Sequence, residues 1–231
     1  MSAKDLREAE HEAIREAAPV AVGVAAALGA LAAVSAHAGW ELVGGVGWWL
    51  WAVTAAAWLV LALVLLVGLG SGMGRHDVRR HATELLLAVV VLLSIVQTGL
   101  LVASLINAGE VRVTGPQLLQ SGATLWLSNV VAFGLAFWTL DADGPVKRAM
   151  AERRIADDFA FPQDGDDDLG PRDWKPHLGD YLYVSLTNSI AFSPTDTMPL
   201  TRKAKGLMGL GALVSAVTLL LVAARAVNIL G

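Results

Sequence analysis

Apolar residues run along this chain in long blocks, and the polar positions gather between them. Five blocks reach the roughly 20 residues an α-helix needs to cross a bilayer: 19–38, 48–69, 85–106, 118–140 and 205–230. A sixth, 178–192, is short for a crossing and breaks at Ser193-Pro194. Proline cannot continue a helix, because it lacks the amide donor and its ring meets the preceding turn. A polar elbow follows, and the last apolar block begins just past Thr201. The pattern predicts an all-α integral membrane protein with five transmembrane helices plus a re-entrant half-helix before the last span. Six spans is the alternative. Residues 1–18 read as a cytoplasmic surface helix ending at Pro19, and 19–140 as a four-helix transmembrane bundle. Residues 141–177 read as a polar cytoplasmic linker, and 178–231 as a re-entrant, pore-like hairpin with the final transmembrane helix.

Composition agrees with a membrane setting. The chain is 55% hydrophobic and 16% charged, where soluble domains carry about 25% charged residues. No cysteine is present, which excludes disulfides and thiolate metal sites. A net charge of -4 gives no reason to expect nucleic-acid binding. There is no H-E-x-x-H and no nucleophile-base pairing, so neither an enzyme nor a cofactor or metal site is expected. The acidic run from Asp164 to Asp168 lacks the alternation and final glutamate of a calcium loop, and reads as part of a solvated, flexible linker.

Lysine and arginine near the span ends set orientation. Lys4, Arg7 and Arg15 precede the first span, and the first connection has none. Arg75, Arg79 and Arg80 lie in the second, Arg112 alone in the third, and Lys147, Arg148, Arg153 and Arg154 in the fourth. The N-terminus is therefore expected inside. Trp40, Trp48, Trp49 and Trp51 would then sit at the outer boundary, where indoles suit the headgroup level.

Polar groups within the apolar blocks narrow the candidates. Gln97 and Asn129 are the deepest amides, and lipid cannot satisfy them. They serve either as interhelical hydrogen bonds, about 1 kcal/mol each, or as a polar lining. Arg225 near the outer end either snorkels to the interface or pairs with an acid. In the first span, Ala25, Gly29 and Ala33 recur every four positions and would permit close helix contact. Gly211 and Ser215 would do the same against the half-helix.

The hairpin holds the sharpest chemistry. Asp180 can cap the half-helix. Asn188, Ser193, Thr195, Asp196 and Thr197 are the pore or ion-path candidates. The free carbonyls ending a half-helix, with Asp196 nearby, favour a cation.

The stretch resembles the pore loop of tetrameric potassium channels. Aligned without gaps, Asp196 takes the place of the aspartate after the filter, Pro199 and Thr201 match a following P-x-T, and Ser185 matches a pore-helix serine. The five filter positions fall on Ala191 to Thr195 and hold no glycine, so potassium selectivity is not implied. The whole chain also resembles a family of bacterial membrane proteins, many actinobacterial, with no established activity. Tyr183 to Thr187, Ala191 to Asp196, Asn129, Phe137-Trp138 and Asp141-x-Asp143-Gly144-Pro145 carry that likeness. It implies a multi-pass protein of the bacterial inner (cytoplasmic) membrane. These readings lead to a cation-permeable, channel-like pore formed by the hairpin. Its expected partners are the lipid bilayer, monovalent cations and further copies of itself, a tetramer being the expected homo-oligomer. The alternative is a small-solute transporter using Gln97 and Asn129, or a non-transporting structural membrane protein.

Overall fold

A computed structural model describes residues 3–67, 74–107, 114–151, 157–164, 174–191 and 196–230. Seven α-helices account for most of them: α1 (Ala3–Ala38), α2 (Trp49–Val67), α3 (Gly74–Ile106), α4 (Gly115–Leu140), α5 (Pro145–Met150), α6 (Leu178–Ala191) and α7 (Arg202–Leu230). Two short strands, β1 (Phe159–Ala160) and β2 (Met198–Pro199), pair antiparallel. Five helices are long and apolar enough to cross a membrane: α1, α2, α3, α4 and α7. At 14 residues, α6 is about 21 Å long, short of a full crossing.

Large apolar side chains cover the outside of these helices. Leu63, Leu85, Leu92, Leu213 and Leu220 are each more than half exposed. A water-soluble monomer rarely presents so much contiguous apolar surface, whereas lipid accepts it. The chain is an all-α membrane protein.

The central helix is α4, which packs on α1, α3, α6 and α7. Small residues permit its closest approaches. A Cβ built on Gly134 would lie 2.7 Å from Leu182 Cδ2 and 3.1 Å from Leu182 Cα, so α6 presses directly on the α4 backbone. Gly122 abuts Val222, and Gly211 abuts the Phe133 ring, which fixes the antiparallel register of α4 and α7.

The N-terminal region departs from expectation. No separate surface helix ends at Pro19; α1 runs through it. Buried positions Glu10, Ile14, Ala17, Ala21, Val24, Leu28, Leu31 and Ser35 form one continuous face at helical spacing. Keeping that face intact offsets the hydrogen bond lost at proline. Only Ala25 of the Ala25, Gly29, Ala33 stripe is buried: a Cβ on Gly29 would meet nothing, and Ala33 is exposed.

Within the 141–177 connection, the described residues include packed positions where a solvated linker was expected. Phe159 and Phe161 are buried in an aromatic chain that passes from Phe133 through Phe137, Phe159 and Tyr181 to Phe161 and Trp174. Residues 165–168 of the acidic run lie outside the described residues; Asp164 accepts from the Phe161 amide at 2.7 Å.

Candidate functional site

Both ends of the hairpin are tied to one buried carboxylate. Asp141 follows α4 and is fully buried. Its Oδ1 accepts from the amides of Asp158 and Phe159 at 3.1 and 3.2 Å. Its Oδ2 accepts from the Tyr181 hydroxyl, one turn into α6. Asp158 in turn accepts from the Thr201 hydroxyl, and its carbonyl accepts from the Leu200 amide at 2.8 Å. Thr201 caps α7 by accepting from the Ala204 amide, as its position predicts. Arg148, also buried, donates to the carbonyls of Trp138 and Asp141 and lies 4.9 Å from the Tyr181 ring centroid. These carbonyls end α4, where a cation suits the dipole.

The turn Asp141–Asp143 places Ala142 and Asp143 at φ 50° and 59°, and Gly144 at 104°. Left-handed backbone costs about 1–2 kcal/mol for a residue with a side chain. Two ion pairs from Asp143, to Arg80 and Lys147 at 3.0 Å each, help hold this shape.

Along α6 the polar candidates turn inward and are bonded. Ser185 donates to the Val130 carbonyl of α4 at 2.7 Å. Asn188 donates to the Met208 carbonyl of α7 at 2.9 Å. Ser189 accepts from Ser215 of α7 at 3.1 Å. The opposite face shows Tyr183, Leu186 and Ile190. Asp180 lies inside the first turn of α6, where its carboxylate accepts from the His177 amide at 2.8 Å. Glu16 of α1 accepts from the Leu178 amide at 2.9 Å, a second cap. Asp196 is exposed on the returning limb and Thr197 is buried. Ser193 and Thr195 lie outside the described residues, as does the side chain of Arg225 on α7.

A second cluster lies between the spans. Gln97 of α3 donates to Thr54 of α2 at 2.7 Å, and the Trp58 indole donates to Ser128 of α4 at 3.2 Å. These are interhelical hydrogen bonds of the expected kind. Asn129 differs. It is fully buried, and neither its amide nitrogen nor its oxygen has a hydrogen-bond partner among the described residues. The same holds for Ser94 Oγ, the Trp126 indole nitrogen, Gln97 Oε1 and Gln163 Oε1. The α4/α7 register puts Asn129 level with Ser215 and Trp126 level with Thr218, which meets Thr98 of α3. Ser94 lies one turn from Thr98 on the same face of α3.

A cleft of about 390 Å³ lies between α3, α4 and α7. Glu84, Leu87 and Val91 of α3, Ala136 and Leu140 of α4, and Leu207 and Leu210 of α7 line it. Carried on at helical spacing, these three stripes reach Ser94 and Thr98, Phe133 and Asn129, and Val214 and Thr218. The cleft is thus mostly apolar, with Glu84 and Thr139 the polar residues that line it, and Asn129, Ser94 and Trp126 are not part of its lining.

Of the sequence candidates, the structure places Asn188 and Thr197 in packed hairpin positions, and Asn129 buried on α4. Gln97 lies on the α2 side. Sequence reasoning missed Asp158 and Trp126 as participants and treated Arg148 only as a topology marker. The D-x-D-G-P run and the nearby F-A-F were the available signals for the hairpin root. No known protein family, curated protein or solved structure matches this chain.

Proposed function

We propose that this membrane protein binds a small hydrogen-bonding molecule within the bilayer, in the cleft between α3, α4 and α7. One observation carries the reading: Asn129 is fully buried with its amide nitrogen and oxygen both unbonded among the described residues. A buried amide without partners costs about 1–3 kcal/mol. A cost of that size is understandable where a ligand supplies the missing bonds. The reading belongs with the solute-binding alternative and not with a cation path through the hairpin. A path would need free polar groups on α6, and Ser185, Asn188 and Ser189 are committed to α4 and α7.

The absence of cysteine makes a clean test available. Ser94→Cys introduces a single thiol beyond the cleft. A small membrane-permeant thiol reagent should modify it in reconstituted vesicles, while Ala132→Cys, on the fully buried flank of α4, stays unmodified. Equal protection of both thiols would reject the cleft as a binding site. Planar-bilayer recordings in potassium, sodium and chloride gradients should show no current. A cation current altered by Asp196→Asn would restore the pore reading instead.

A further inference from the structure

Away from the cleft, three metal-ligating side chains meet where the polar end of α1 passes the start of α6. Glu12 and Glu16 stand one turn apart on α1, so they share a face of the helix. His177 comes from the residue before α6, 161 positions along the chain from Glu16. One carboxylate oxygen from each glutamate and one ring nitrogen of His177 all lie within 4.8 Å of one another. No other three His, Asp or Glu donors come this close among the described residues.

The arrangement is held from two sides. Glu16 Oε2 accepts from the Leu178 amide at 2.9 Å, which turns Oε1 to His177 Nδ1, 2.6 Å away. The His177 amide donates to Asp180 at 2.8 Å, which fixes the backbone that carries the imidazole. Glu12 differs. It is exposed and has no hydrogen bond or ion pair among the described residues. Two carboxylates four residues apart on a helix repel each other, so the pair favours a positive charge placed between them.

The donor set selects the ion. Magnesium and calcium take oxygen ligands, whereas imidazole with carboxylate suits zinc and neighbouring first-row dications. Zinc–ligand distances of about 2.0–2.2 Å put two donors on one tetrahedral ion about 3.3–3.5 Å apart. Glu12 therefore has to swing in and the His177–Glu16 pair to open slightly. Glu12 and His177 are both exposed, which leaves them free to turn. Two carboxylates and a neutral imidazole balance the charge of a dication, and water completes the fourth position. No motif spacing announces the site, because a distant segment supplies the histidine. We propose that Glu12, Glu16 and His177 bind one dication of the zinc class, which ties α1 to the start of α6.

The test is isothermal titration of zinc chloride and, separately, magnesium chloride into the tag-free full chain in lipid nanodiscs after a chelator wash. One zinc per chain should bind with micromolar affinity, and magnesium at the same concentrations should give no saturable heat. Glu12→Gln keeps the shape of the side chain. It should leave the melting temperature of the metal-free protein unchanged, since Glu12 is unbonded there among the described residues. The same substitution should weaken zinc at least tenfold and remove the rise in melting temperature that zinc gives the unaltered chain. His177→Ala should weaken zinc as much, while His37→Ala, at the other end of α1, should not. Should His177→Ala fail to fold, Glu12→Gln decides alone. Zinc binding that survives Glu12→Gln and His177→Ala unchanged would overturn the assignment, since the ion would then sit elsewhere. So would the lack of saturable zinc binding, or magnesium binding of equal strength. Glu16 and His177 would then form an ordinary hydrogen-bonded clip between the two segments.

Discussion

Two buried polar clusters in this protein meet the same physical problem and resolve it in opposite ways. At the hairpin root, Asp141 accepts three hydrogen bonds and Arg148 donates two, so the groups taken out of water are bonded within the chain. Between the spans, Asn129 is as deeply buried and bonds to nothing among the described residues. A satisfied polar network rigidifies and specifies one arrangement, while a half-satisfied one is a liability unless something else completes it. The root is therefore read as structure and the inner layer as a receptor. Had the hairpin carried the unbonded groups and the spans the bonded ones, the pore hypothesis would stand in the better position.

The largest effect should come from breaking the bonded cluster. Asp141→Ala removes the acceptor for two backbone amides and for Tyr181, and leaves those donors buried. Removing one partner from a buried charged network costs about 3–5 kcal/mol. Unfolding of the purified protein in mixed micelles should report a loss of that order, and proteolysis should begin within 192–201 as the hairpin loosens. A loss below about 1 kcal/mol, with the hairpin still protected, would mean that the root does not clamp it and that the contrast between the clusters is false.

A second substitution tests whether α6 is pressed onto α4 as tightly as the root implies. In Gly134→Ala the new methyl group would meet Leu182 Cδ2 at 2.7 Å and its Cα at 3.1 Å. The leucine tip can turn aside, but the backbone cannot. Overpacking of this kind costs about 1–3 kcal/mol. The equivalent change at Gly29, where nothing lies within 4 Å, should leave stability unchanged or slightly raised. Equal responses at the two sites would show that α6 rests loosely on α4.

The difference between these two glycines also shows how far the sequence could be read. The five spans and the half-helix follow from block length and proline placement, and the structure has a helix over each of the six blocks, with α1 and α3 starting well before theirs. Block length reports only whether a segment prefers lipid. Which face of a helix meets which neighbour depends on register between segments far apart in the chain. The small-residue stripe on α1 therefore gave no sign that Ala25 alone of its three residues would be buried, and Gly134 gave none that it would touch Leu182. Pro19 was misleading for a related reason. The local rule is sound, but a buried face continuing on both sides outweighs one missing hydrogen bond. In the hairpin, residue types alone could not separate a polar group facing a path from one bonded to the next helix. That distinction required the Met208 carbonyl and the Ser215 hydroxyl to be seen beside Asn188 and Ser189.

The smallest effect is the sharpest, because only its sign matters. Asn188 and Asn129 are both buried amides on packed helices of the same bundle. Asn188 donates to the Met208 carbonyl; Asn129 donates to nothing described. Replacement by leucine, similar in size, should therefore act in opposite directions. Asn188→Leu should lower stability by about 1 kcal/mol, the worth of one interhelical hydrogen bond. Asn129→Leu should raise it by a comparable amount, since the change removes an uncompensated polar group from the interior. Both are read from one unfolding series on ligand-free protein. If Asn129→Leu destabilises as Asn188→Leu does, then Asn129 already has a partner in the resting protein, such as a bound water. The inner layer would then be a second closed cluster like the root.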